Sequence, residues 1–297
     1  ESPNNAIDAW LVGCLIWTIY NSDSLSSFDR NKLKDMGNIP TALKDDYIKL
    51  LTGSPKNRVA FDKFLDSPYF STVFVQTCSF LEQLTIKDTF EKEKFFKSLP
   101  KVLPQFPDAM AKYKILPALT TGLDFGSADH NALPVVLAIA AKLTPEEYKA
   151  QITGSVLKWF ALPDRTLRIC LLQNIDTIVP HLDASQVASI WTPLPQGFTD
   201  QVPQLRELTV KSLVPLSPKL GERIVNGDML KYLAQLQVDP VPGIRCNTTV
   251  CLGKISNLMT PAVRQKVLLQ AFSRALKDPF PPTRKAALAA MAYCQIG

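Results

Sequence analysis

Histidine is nearly absent from this sequence, with only His130 and His181 among 297 residues. None of the six cysteines falls in a C-x-x-C pair either, so no metal-ligand set of familiar spacing can be written and no metal or cofactor site is expected. Long apolar runs are missing too. The longest, Trp10 to Tyr20, covers 11 residues and is interrupted by Thr18, against the ~20 that a membrane span requires. The opening Glu1-Ser-Pro-Asn-Asn has neither the positive nor the apolar region of a secretory signal. It also has no initiator methionine, so the chain is expected to be a piece of a longer protein. No run of Lys or Arg concentrates positive charge, and the aromatics do not interleave with the basic residues as a single-strand binding platform requires. What is plentiful excludes disorder: 46% of residues are hydrophobic.

Cys14, Cys78, Cys170, Cys246, Cys251 and Cys294 mostly lie inside apolar helical patterns and read as buried free thiols of a reducing compartment. Asn247-Thr248-Thr249 spells a glycosylation sequon, but inside a predicted helix, and is discounted. The formal charge of +6 is unevenly distributed. Residues 1–66 and 67–148 each carry 8 basic and 9 acidic groups, whereas residues 149–297 carry 17 and 9. That excess permits an anionic partner such as RNA, an acidic protein or a lipid surface, although solvated helix faces are the first reading.

A repeat of 38–39 residues organises the second half. Four segments share an Asp, a short turn, then an Arg: Asp164 with Arg168, Asp200 with Arg206, Asp239 with Arg245, and Asp278 with Arg284. Seven residues beyond the arginines stand Ile175, Leu213, Leu252 and Met291; ten beyond stand Ile178, Leu216, Ile255 and Cys294. Those offsets share one helical face, so each Arg is expected to open an amphipathic helix. Helix starts recur at the same period. Thr144-Pro145-Glu146-Glu147 and Asp183-Ala-Ser-Gln186 are capping boxes, Thr260-Pro261 is a third start, and a weaker one is expected near Gly221-Glu222. Each unit is thus helix A, a turn with Asp, and helix B. Two antiparallel helices per ~39 residues resemble HEAT repeats, whose units form a continuous core only when stacked. A divergent unit precedes these, with helix A near 107–121, helix B near 131–143 and His130 in place of the Arg. The array is expected to continue past Gly297.

The Asp and Arg columns admit two readings. In one, each Arg pairs with its own or a neighbouring repeat's Asp and fixes the stacking, which is preferred; in the other, the arginines form an electropositive ladder for an anion. Lys211, Lys254, Arg264, Arg274 and Lys285 have no such partners in the pattern and are the candidate surface for a protein or RNA partner.

The beginning of the chain resembles the end of a protein-kinase lobe. Asp8, Trp10 and Gly13 match the kinase D-x-W-x-x-G, with Asp8 placed to cap a large buried helix and Glu1 standing where the A-P-E motif ends. The stretch 50–58, ending in Arg58, resembles the one whose Arg pairs with that Glu, so the resemblance implies a structural Glu1–Arg58 ion pair. No Gly-rich loop, strand-borne Lys or H-R-D catalytic loop occurs in the sequence, and no catalytic residue is assigned. Asp124-Phe125-Gly126 does spell D-F-G, but over a hundred residues too late; it is read as an A-to-B turn with Gly126 ending helix A.

A kinase-lobe end running into HEAT repeats resembles the SCY-like pseudokinases, and stretches such as 244–255 and 271–280 carry that resemblance residue by residue. It implies an all-α chain: residues 1–66 from a pseudokinase lobe, 67–103 a helical connector or cap, and 104–297 about five HEAT repeats, the last truncated. It further implies a non-catalytic scaffold in Golgi-to-ER traffic that binds the COPI coat through regions outside this chain, peripheral to membranes. A fungal relative assists tRNA export, which makes a tRNA adaptor the alternative.

Overall fold

The computed structural model describes residues 5–22 and 30–294, and among them there is no β-strand. The chain divides into two compact units, Glu1–Gln83 and Leu84–Gly297, a division that falls inside the stretch read as connector.

The first unit is built on α1 (Ala6–Asn21) and α2 (Thr41–Leu50). Ala9, Cys14 and Trp17 of α1 meet Leu43, Tyr47 and Leu50 of α2, with Leu33, Ile39 and Phe64 closing the core. Buried polar atoms are matched there: the Trp17 indole donates to the Asp35 carbonyl at 2.8 Å and the Tyr47 hydroxyl to the Leu33 carbonyl at 2.7 Å. Gly13 lets the two helices close, since a Cβ at that position would lie 2.6 Å from a Leu51 methyl. Three expectations are revised. Asp8 does not cap α1; it sits in the first turn, where its charge suits the helix dipole, and Asn5 occupies the cap position without a side-chain bond. The helix is not buried all round, because Ile7, Leu11, Leu15 and Ile19, one turn apart, form an exposed apolar stripe. The Glu1–Arg58 pair falls on Glu1, outside the described residues. Arg58 itself donates to the Ala6 carbonyl at 2.6 Å and the Thr52 carbonyl at 3.0 Å, tying the start of α1 to the loop after α2. Trp10 packs half-buried against the core.

After α3 (Val73–Glu82), the second unit opens with α4 (Thr89–Val102), capped by a reciprocal Asp88–Glu91 box. Five helix pairs follow: α5 (Leu116–Asp124) with α6 (Ala132–Ala140), α7 (Gly154–Ala161) with α8 (Arg165–Gln173), α9 (Ala184–Trp191) with α10 (Pro203–Leu216), α11 (Met229–Leu236) with α12 (Pro242–Ile255), and α13 (Pro261–Ala275) with α14 (Pro281–Cys294). Successive B helices (α6, α8, α10, α12, α14) pack side by side, giving the α-solenoid that the repeat predicts. The Thr144–Glu147 and Asp183–Gln186 boxes form as read, while Thr260 occupies its cap position without a side-chain bond. Gly126 ends helix A of the first pair at φ 72°, a left-handed conformation that glycine adopts without steric cost. Three A helices carry a π turn just after their first residues, at Ala111–Ile115, Lys149–Thr153 and Ile224–Asp228, which the periodicity does not show.

The apolar columns fill the interior. Ile175, Leu213, Leu252, Ile178, Leu216, Ile255 and Cys294 are all buried, and only Met291 is half-exposed. Each such leucine or isoleucine contributes about 1.5–3 kcal/mol on leaving water. Aromatic stacks join neighbouring pairs: Tyr148 lies 4.0 Å from His181, and Phe198 lies 4.9 Å from Tyr232. All six cysteines are free thiols, buried or half-buried; burial pushes that of Cys251 up to about 12.

Candidate functional site

The repeat arginines sit four residues into their helices rather than opening them. α8 begins at Arg165, α10 at Pro203, α12 at Pro242 and α14 at Pro281. From there every one turns back to a backbone carbonyl six residues earlier. Arg168 reaches Leu162 at 3.1 Å, Arg206 reaches Asp200 at 2.8 Å, Arg245 reaches Asp239 at 2.9 Å, and Arg284 reaches Asp278 at 2.8 Å. Two of them also reach forward to the next repeat. Arg206 grips Asp239 with two bonds, 2.7 and 3.0 Å, and Arg245 grips Asp278 with two, 2.7 and 2.9 Å. These side chains are little exposed, 12% and 4% for the first pair, 14% and 8% for the second. Paired guanidinium and carboxylate planes bonded at two points are the strong form of such a contact.

Asp200, Asp239 and Asp278 each also accept the amide two residues on, at 2.8 Å, which shapes the A-to-B turn. The Arg245 contact outweighs burial and holds the Asp278 carboxyl below the usual range. At Asp200 burial pushes upward, but the Val202 amide and Arg165 together prevail and the carboxyl also lies low. The guanidinium groups of Arg206 and Arg245 are raised by the same pairs.

The first rung departs from the pattern. Asp164 is not the counterpart of the other three; it caps α8 by accepting the Leu167 amide at 2.9 Å, and Leu162 holds the equivalent place. The cause is the place of the Asp within a turn of the same reach: Asp164 stands four residues before its Arg, at the helix cap, whereas Asp200, Asp239 and Asp278 stand six before theirs. Asp200 is bonded by Arg165 at 3.0 Å, leaving Arg168 buried against its carbonyl.

The five candidate surface residues are not gathered on one element. Lys211, Lys254 and Lys285 lie on the B helices α10, α12 and α14, whereas Arg264 and Arg274 lie on the A helix α13. Lys211 is bonded to Glu207 at 2.6 Å, and Glu207 also accepts from the Asn247 amide across to α12 at 3.0 Å, which places the sequon residue in an internal contact. Arg264 donates to the Cys294 carbonyl. Lys254, Lys285 and Arg274 are exposed and bond to no described residue. No group of described residues could hold a metal ion, and no described helix is long and apolar enough to cross a membrane.

No known family's sequence profile matches the chain. It is similar to the "Probable inactive serine/threonine-protein kinase scy1" of Dictyostelium discoideum, 43% identical over 294 residues, which is 99% of this chain and 36% of that protein. It is also similar to the "SCY1-like protein 2" of Homo sapiens, 26% identical over 275 residues, 86% of this chain and 30% of that one. Among solved structures, that of Cex1p matches 97% of this chain and 55% of its own with a TM-score of 0.61 at 23% identity, a likeness of fold. The chain spans about a third of the length of the curated relatives it matches.

Proposed function

The chain belongs to the SCY1-like pseudokinase family, and from that membership we propose that it serves as a non-catalytic scaffold whose solenoid presents surfaces to protein partners in intracellular membrane traffic. The relative of highest identity reported above is named an inactive kinase, and no Gly-rich loop, strand-borne Lys or H-R-D catalytic loop occurs in these 297 residues. The observation that carries the reading is the state of the repeat arginines. Arg206 and Arg245 are neutralised by Asp239 and Asp278 of the next repeat, and Arg168 and Arg284 turn back to carbonyls of their own turns, so two of the four charges hold one repeat to the next and the other two are bonded locally. A scaffold needs that rigidity; an anion track would need those charges free. The proposed setting is the Golgi and the ER–Golgi boundary, peripheral to the membrane, with the COPI coat engaged through regions of the complete protein outside this chain. The test is capture of purified coat subunits by the complete protein, and its failure with folded protein would overturn the traffic reading.

A second reading, an adaptor for tRNA, is favoured by the charge of residues 149–297, with 17 basic groups against 9 acidic. Fluorescence anisotropy of labelled tRNA against the chain, across salt, separates the two. The scaffold reading expects weak binding that is indifferent to replacing Lys211, Lys254 and Arg274 with Glu. Tight binding lost in that variant, with a salt slope of roughly 0.7–0.9 per phosphate contacted, would establish tRNA as a partner.

A further inference from the structure

A furrow of about 520 Å³ runs along the B helices of the last three repeats, lined by Val214, Val250, Lys254, Ala286, Ala289 and Tyr293 among others. Its floor exists because α12 and α14 approach closely. A Cβ on Gly253 would lie 2.9 Å from that of Ala290, so only a glycine there permits the contact. Ala286 and Ala289, small residues one turn apart, then leave the space above the floor unfilled. Val250 and Tyr293 stand at its sides, 37% and 67% exposed. Exposed apolar walls in a concave site are what a partner's side chain would cover.

The charge around the furrow is one-sided. From residue 240 to 297 the sequence has eight Lys and Arg but a single carboxylate, Asp278, and Arg245 holds it. α12 and α14 contain no acidic residue at all. On α10 the one carboxylate, Glu207, is bonded to Lys211 and Asn247. Lys254 therefore enters the furrow with no internal counter-ion among the described residues, and Lys285 stands one helical turn from Ala289 on the same face of α14. A carboxylate arriving from outside would meet free ammonium groups beside an apolar seat. A nucleic acid would find the ammonium groups but only one lining aromatic, Tyr293, on which to stack.

We propose that this furrow docks a short peptide segment of a protein partner, one that combines an apolar anchor with flanking Asp or Glu. The anchor lies between Val250 and the Ala286–Ala289 turn, and the carboxylates pair with Lys254 and Lys285. This deepens the scaffold reading and rests on it.

The probe is a fluorescein-labelled twelve-residue peptide with two leucines four apart among glutamates, titrated against the full chain by anisotropy. Its controls are the same peptide with lysines for the glutamates and an oligo-uridylate of equal charge. The glutamate peptide is expected to bind and to weaken as salt rises. Lys254→Glu is expected to cost roughly tenfold or more, the size of a lost charge-assisted contact turned repulsive. Ala289→Trp, which fills the furrow from an exposed position, is expected to abolish binding while circular dichroism and the melting temperature stay as in the parent chain. Equal binding of the lysine peptide, or indifference to both substitutions, would overturn the proposal. Tighter binding of the oligo-uridylate would overturn it in favour of nucleic acid. Coat capture by the complete protein separates the two levels. Capture with no peptide binding sinks the furrow alone, whereas peptide binding with no capture sinks the traffic setting alone.

Discussion

Cutting one rung of the Asp–Arg ladder should cost more than its share of the solenoid's stability, and Arg245–Asp278 is the rung to cut. Asp278→Ala removes both carboxylate bonds to Arg245 and the bond to the Phe280 amide, and leaves the guanidinium with two carbonyl contacts, at 2.9 and 3.4 Å. Removing one side of a buried pair costs about 3–5 kcal/mol, and the 14% exposure of Arg245 places this case at the lower end, ~3 kcal/mol. Arg245→Met strands Asp278, 8% exposed and still bonded to one amide, for a similar ~3 kcal/mol. Because each change removes the same contact, the double variant should lose only ~3–4 kcal/mol, a coupling of ~2–3 kcal/mol. Urea unfolding followed by circular dichroism measures the sums. Hydrogen exchange at the amides of α14 reports the last repeat alone, where protection should fall first. Additive costs, with coupling below ~0.5 kcal/mol, would mean that solvent screens the pair and that the arginines do not hold the repeats in register.

Acid should loosen the same contacts. The Asp278 and Asp200 carboxyls lie below the usual range in the folded chain, so the stability they add is complete above the ordinary carboxylate range and drains away as pH falls through their lowered values. Asp278→Asn should flatten that acid dependence in melting curves taken from neutral pH downward. Gly253→Val would push a side chain into Ala290, force α12 from α14 and cost about 1–3 kcal/mol, visible as a lower unfolding midpoint. Cys251, fully buried with its thiol pushed up to about 12, should resist iodoacetamide in the folded chain and label fully in urea, as mass spectrometry would show; rapid labelling without urea would contradict its burial.

The period of the repeat is plain in the sequence because four arginines recur at 38–39 residues and the apolar columns follow at fixed offsets. The direction of pairing is not. Asp200 lies six residues before Arg206 and Asp239 lies thirty-three after it, and spacing alone does not choose between them. Folding does: the near residue supplies its carbonyl and the far one its carboxylate. Asp164 differs for a related reason, since two positions nearer its Arg the same residue type becomes a helix cap. On α1 the apolar residues run all the way round, and periodicity cannot say which of them the chain itself covers. The furrow was illegible because it is made of what is missing, alanine methyl groups and a glycine that read as ordinary helix formers or breakers.

Because each full rung gives its guanidinium forward and receives one from behind, the ladder has a unit of deletion. Excising residues 207–245, thirty-nine in all, would bring Arg206 to thirty-three residues before Asp278, the separation that both full rungs already use. The severed helix would be rejoined at the equivalent point of its successor, with the forward contact restored between residues that had never met. A cut of half that length would seat an A helix where a B helix belongs and leave both charges stranded. The solenoid can therefore shorten in whole steps without losing its internal pairing, and the length of its partner-facing surface can vary independently of the contacts that keep it rigid.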